Sequence, residues 1–154
     1  MANTYNNLEE YIQKLLHRID IYHPHQLNME DVYSRLGMSV HYIQQDAMFV
    51  FGYIFLDSRK SAAEQWEDFG HELCHALWHA GNQALIPLSM REYQEWKAEN
   101  FAQHLCIPSF MLDSMKLPNH TKEAVWMLQE EFGVTQKFSE KRLERYMRNL
   151  QSSY

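Results

Sequence analysis

Ala62-Ala63-Glu64-Gln65-Trp66-Glu67-Asp68-Phe69-Gly70-His71-Glu72-Leu73-Cys74-His75-Ala76-Leu77-Trp78 is the stretch whose reading decides the fold. At about 100° per residue, Trp66, Phe69, Leu73 and Leu77 fall within roughly 80° of one another and form a core-facing stripe. His71 and His75 lie on the opposite side, within roughly 40° of each other, with Glu64 and Asp68 in the same polar arc. Positions i and i+4 share one helix face, so two imidazoles one turn apart can grip a single zinc ion. Glu72, next to the first histidine, can then take a proton from a water that the metal acidifies. The pattern predicts a helix from Ser61 to about 79 or 80, ended by Gly81.

Composition alone would place H-E-x-x-H in about one such chain in twenty, so the motif needs context. Its bland alternative is a pair of surface histidines beside a chance glutamate. A catalytic zinc takes three protein ligands and keeps one position open. The metzincin continuation is not met, because Ala76-Leu77-Trp78-His79 follows His75. His79 lies a further turn along the axis and reads as an auxiliary residue near the cleft. The next predicted helix, from about Ser89 to Cys106 and stopped by Pro108, offers Glu92, Glu95 and Glu99. Ala98, Phe101, Ala102 and Leu105 make its buried arc, and small Ala98 and Ala102 allow a close approach of two helices. Glu95 borders that arc and is read as the third ligand. Glu99, one turn on, is read as a carboxylate that accepts a hydrogen bond from a liganding imidazole. Glu92 reads as a solvated surface residue.

Outward from these helices, Asn7 to about Ile21 forms an amphipathic helix through Leu8, Tyr11, Ile12, Leu15, Leu16 and Ile19. Asn28 reads as an N-cap with Asp31 at the third position of a short helix that Gly37 stops. Met38 to Asp57 is rich in β-branched and aromatic residues, with breaks at Gln45-Asp46 and near Gly52. It predicts a small antiparallel sheet of two or three strands beside the motif helix. Two further helices are predicted near Thr121–Phe132 and Ser139–Leu150. The class is α+β, mostly helical. Residues 1–154 read as one domain: helices and sheet in 7–60, metal-site helices in 61–107, C-terminal helices in 120–151.

The chain has 154 residues, 45% hydrophobic and 22% charged, which fits a globular domain with a real core. A net charge of −6 disfavours direct binding to nucleic acid. The basic residues Lys137, Lys141, Arg142, Arg145 and Arg148 are interspersed with Glu140 and Glu144, and read as a solvated helix rather than a DNA reader. Cys74 and Cys106 form no C-x-x-C and no disulfide framework. No stretch reads as a signal peptide or a membrane span, so the expected location is the cytoplasm with both thiols reduced. His17, His41 and His120 carry no readable signal, and His23 and His25 around Pro24 read as loop residues. The oligomeric state is not legible.

Glu95-Trp96-Lys97-Ala98-Glu99-Asn100-Phe101-Ala102-Gln103-His104-Leu105-Cys106-Ile107-Pro108, about twenty residues after the motif, closely follows E-x-x-A-N-x-F-A-x-x-L-L-M-P. Together the two elements resemble the ImmA/IrrE family of small bacterial and phage metallopeptidases. Tyr53–Leu56, Phe132-Gly133-Val134 and Arg142-Leu143 also fit that layout, so the resemblance covers about residues 8 to 150. Three positions depart from it: Cys74 where Gly is common, Glu99 where Asn is common, and Cys106 where Leu is common. None removes a proposed ligand. The resemblance implies a zincin-like fold and a Zn2+ cofactor. It also implies a protein substrate, a helix-turn-helix repressor of a prophage or mobile element. Glu72 would act as general base. For a second electrophile, His79, Tyr93, His104 and Tyr53 stand unranked, and an extended substrate is expected to pair with the open edge of the Val40–Leu56 sheet. The competing expectation is an anti-repressor that holds zinc and binds its partner without hydrolysis; Glu72 argues against it, since a structural site needs no base.

Overall fold

A computed structural model describes residues 7–78 and 88–152; within the helices, the side chains of 78, 88–96 and 152 lie outside that description. The elements run α1 (Asn7–Arg18), a short 3-10 turn (Pro24–Gln26), α2 (Met29–Arg35), β1 (Val40–Ile43), β2 (Met48–Val50), β3 (Tyr53–Asp57), α3 (Ala62–Trp78), α4 (Leu88–Cys106), α5 (Ser109–Asp113), α6 (Thr121–Phe132) and α7 (Gln136–Ser152). The α+β, mostly helical class stands.

Local chemistry sets the boundaries. α1 stops at Arg18, earlier than its apolar periodicity suggests. Asp20 adopts a left-handed conformation (φ 63°), and Ile21 N–H reaches back to Leu16 O at 2.9 Å. This is a Schellman-type stop with aspartate in place of glycine. Asn28 caps α2 as its sequence predicts, its Oδ1 accepting from Asp31 N–H at 2.9 Å. Ser61 opens α3 with a reciprocal capping box: Glu64 N–H donates to Ser61 Oγ, and Ser61 N–H to Glu64 Oε1, both at 3.2 Å. α7 begins at Gln136 rather than Ser139, because Thr135 Oγ1 accepts from Phe138 N–H at 3.2 Å and acts as its cap.

The sheet has three strands in the order β1-β3-β2. β2 and β3 form an antiparallel hairpin, whereas β1 pairs with β3 in parallel. The expectation of a wholly antiparallel sheet is therefore corrected at this one pairing. β3 carries Ile54 and Leu56, both without exposed surface, and takes the central position. The 44–47 link then carries the chain past β3, from one edge of the sheet to the other. The hairpin turn is Phe51-Gly52, with both φ values positive (52° and 84°), a turn whose twist suits a two-residue hairpin.

The core is one contiguous cluster of buried side chains drawn from α1 through α7. The predicted stripe of α3 is part of it: Trp66, Phe69 and Leu73 are buried, and Leu77 packs against the cluster. Ala98, Phe101, Ala102 and Leu105 of α4 are buried as predicted. The closest approach of these helices is at Gly70, where an added Cβ would sit 3.0 Å from Ala102 Cα and 3.1 Å from its Cβ. α3 and α4 are thus held nearly backbone to backbone, with α3 also packing on the sheet.

Candidate metal centre

α3 brings His71 and His75 onto one face, with ring centroids 5.0 Å apart and planes at 61°. His75 is buried at 4% exposure and Glu72 at 9%, while His71 is partly open and lines a cleft. The spacing can be tested against zinc. Zn–N bonds are about 2.0–2.1 Å; adding the half-width of the ring puts each ring centre about 3.2 Å from a shared ion. A tetrahedral angle then separates the two ring centres by about 5.2 Å, so the 5.0 Å separation is compatible with one shared zinc.

The third position is not reached in the same way. Glu95 belongs to α4, but its side chain lies outside the described residues, as do His79 entirely and the side chains of Glu92 and Tyr93. Among the described residues, no three His, Cys, Asp or Glu side chains are arranged to hold a metal. Glu99 lines the same cleft as His71, and its Oε1 accepts from Lys141 Nζ of α7 at 2.9 Å. That bond to Lys141 holds its carboxyl below the usual range, and nearby His71 adds to the effect.

The cleft measures about 310 Å³ and lies between α3, α4 and the start of α7. Glu67, one turn before His71, ties these elements together. It accepts from Thr135 N–H at 2.7 Å and Thr135 Oγ1–H at 3.3 Å, capping the corner from which α7 starts. Burial pushes its carboxyl pKa up, against the two bonds from Thr135. Asp68 is paired with Lys60 at 2.9 Å.

Two unranked electrophile candidates lie elsewhere. His104 is buried at 1% exposure, its Nδ1 2.9 Å from Asn100 O, and it does not line the cleft. Tyr53 sits on the outer face of the sheet against His41 and Phe55. Cys74 and Cys106 are both buried and neither forms a disulfide; Cys106 Sγ donates to Trp66 O at 3.6 Å. The basic tail departs from its reading as a solvated helix at Arg142, which is fully buried, while Lys137, Lys141 and Arg148 are exposed as expected. Sequence reasoning missed Arg142, the Glu67–Thr135 clamp, and Gly70 as the contact point of α3 with α4. A glycine in mid-helix, opposite a run with small residues, was the available signal for the last.

A helix carrying paired histidines and a glutamate packs on a second helix and beside a small sheet, and the family match suggests a metallopeptidase-type fold. Residues 22–144 match the peptidase M78 family, described as the IrrE N-terminal-like domain, and the chain belongs to this family. The phage-like element PBSX protein XkdA of Bacillus subtilis (strain 168) is 40% identical over 152 residues, covering 96% of this chain and 77% of that protein. The uncharacterized protein YqaB of the same organism is 36% identical over 154 residues, covering 97% of this chain and 90% of that protein. No solved structure matches significantly. The chain is thus of the ImmA/IrrE protease or anti-repressor type, in a family that generally uses zinc. Among the described residues, no helix is long and apolar enough to cross a membrane.

Proposed function

We propose that this protein is a cytoplasmic zinc endopeptidase acting on one specific protein, a helix-turn-helix repressor of a prophage or mobile element. The observation that carries this reading is the 5.0 Å pairing of His71 and His75, with Glu72 between them on the same helix. Both the spacing and the donor types suit zinc. His71, His75 and Glu95 would hold the ion, and Glu99 would steady the His71 imidazole. When bound, zinc supplies a Lewis acid that acidifies water and polarises a peptide carbonyl. Glu72 accepts the proton of the attacking water and passes it to the leaving amine. Its low exposure limits access of bulk water to that proton. The kinship with a phage-element protein supports a mobile-element setting.

The test is co-expression with the helix-turn-helix repressor encoded nearest this gene, using wild type and Glu72→Ala, followed by mass spectrometry. Repressor fragments with wild type alone are the expected result. An intact repressor that co-purifies with both forms would replace this reading with an anti-repressor that binds without hydrolysis. Zinc content of wild type, His71→Ala and Glu95→Ala, measured by elemental analysis, checks the ligand set independently of turnover.

A further inference from the structure

The cleft beside His71 has a charge pattern of its own. Three of its lining carboxylates are already engaged: Asp68 with Lys60, Glu99 with Lys141, and Glu67 with the Thr135 backbone and hydroxyl. Lys137 is exposed, lines the same cleft, and pairs with no acidic group among the described residues. It stands in the first turn of α7, a 17-residue helix whose N-terminal end adds positive potential. The cleft wall also includes Gln103, 2% exposed, whose Oε1 has no hydrogen-bond partner among the described residues. A buried acceptor left unpaired calls for a donor, and rotation of the amide would bring it to a peptide N–H. Phe138 and Ala102 complete the wall with apolar surface. The volume of about 310 Å³ suits a side chain with its adjoining backbone.

We propose that this cleft is a specificity subsite that takes an aspartate or glutamate side chain of the substrate peptide, flanking the bond to be cut. Lys137 meets the carboxylate, the stem of the side chain lies on Phe138 and Ala102, and Gln103 accepts from the peptide backbone. Lys141 adds a second cation, shared with Glu99. The location rests on the peptidase reading, since His71, with Glu99 beside it, ties the cleft to a reaction centre. The recognition itself needs no turnover.

The experiment is NMR titration of 15N-labelled, zinc-loaded Glu72→Ala protein with blocked tripeptides Ac-Ala-X-Ala-NH2, X being Glu, Gln or Lys. The Glu peptide is expected to shift the amides of Gln103 and of residues 135–141. It should bind about three- to fivefold more tightly than the Gln peptide, with the Lys peptide weakest. Lys137→Glu should reverse the order of Glu and Lys, and Lys137→Gln should level Glu and Gln. Equal binding of Glu and Lys peptides, shifts confined to other surfaces, or no binding at millimolar peptide would overturn the proposal. Sodium acetate binding as tightly as the Glu peptide would overturn it too, by assigning the site to free carboxylates. Selective binding without repressor cleavage would leave this subsite standing while removing the peptidase reading; cleavage without selectivity would do the reverse.

Discussion

Glu72 and His104 illustrate two opposite uses of a buried polar side chain. Glu72 follows His71 directly and is 9% exposed, so a proton it holds is shielded from solvent. Glu72→Ala is expected to slow repressor cleavage by about two to four orders of magnitude while zinc content is unchanged. Time-resolved mass spectrometry of the repressor, beside elemental analysis, reads both quantities. His104 is buried away from the cleft. Burial, then the nearby Arg142 charge, hold its imidazole down to about 3 from the usual 6.5. The unfolded chain therefore binds a proton that the folded chain refuses. The His104 contribution to stability is complete above about pH 6.5 and shrinks as pH falls toward about 3. At about pH 5 the loss is roughly 2 kcal/mol, at about 1.4 kcal/mol per pH unit. Urea unfolding of His104→Gln across this range should show a flatter acid limb than wild type; identical slopes would contradict the assignment.

At the scale of elements, the proposed metal centre would depend on how closely α3 lies on α4. Gly70 immediately precedes His71, and a Cβ there would meet the Ala102 backbone at 3.0 Å. Gly70→Ala gains about 1 kcal/mol of helix propensity but overpacks the contact, at about 1–3 kcal/mol. The net expectation is a destabilised protein with weaker zinc retention, because the histidine helix must move a few tenths of an ångström from α4. A chemical-denaturation curve and a zinc-chelator competition measure the two effects; a stabilised variant with unchanged zinc affinity would mean that the helices yield freely. The Glu67–Thr135 clamp works at the same scale, fixing the start of α7 against the histidine helix one turn before His71.

At the scale of the molecule, Arg142 connects the first helix to the last. Its Nε donates to Ile107 O at 2.9 Å, its Nη2 donates to Ser109 Oγ at 2.8 Å, and Ser109 Oγ donates in turn to Glu9. Removing Arg142 strips Ile107 O and Ser109 Oγ of a buried donor and leaves a large void. Arg142→Ala is expected to lose about 2–5 kcal/mol of unfolding free energy, and Arg142→Met less, since it refills the volume. Equilibrium urea unfolding decides this; a loss within about 0.5 kcal/mol would place Arg142 among ordinary surface residues. The burial of this residue also removes one cation from the basic face that a DNA-reading α7 would need.

The histidine pair, the core stripes of α3 and α4, the Asn28 cap and the α6 boundaries were legible in the residues themselves. Each follows from spacing along one helix or from a side chain bonding its own backbone, which are local properties of the chain. The central place of β3, the parallel pairing with β1, the α3–α4 contact at Gly70 and the burial of Arg142 were not. They depend on which distant segments compete for the same apolar surface and which buried polar groups find partners across the fold. A basic residue in a polar helix looks solvated until the rest of the chain closes over it. By itself the sequence determined the chemistry that α3 carries; only the tertiary structure decided which side chains from α4 and α7 surround it, because those neighbours are set by packing rather than by periodicity.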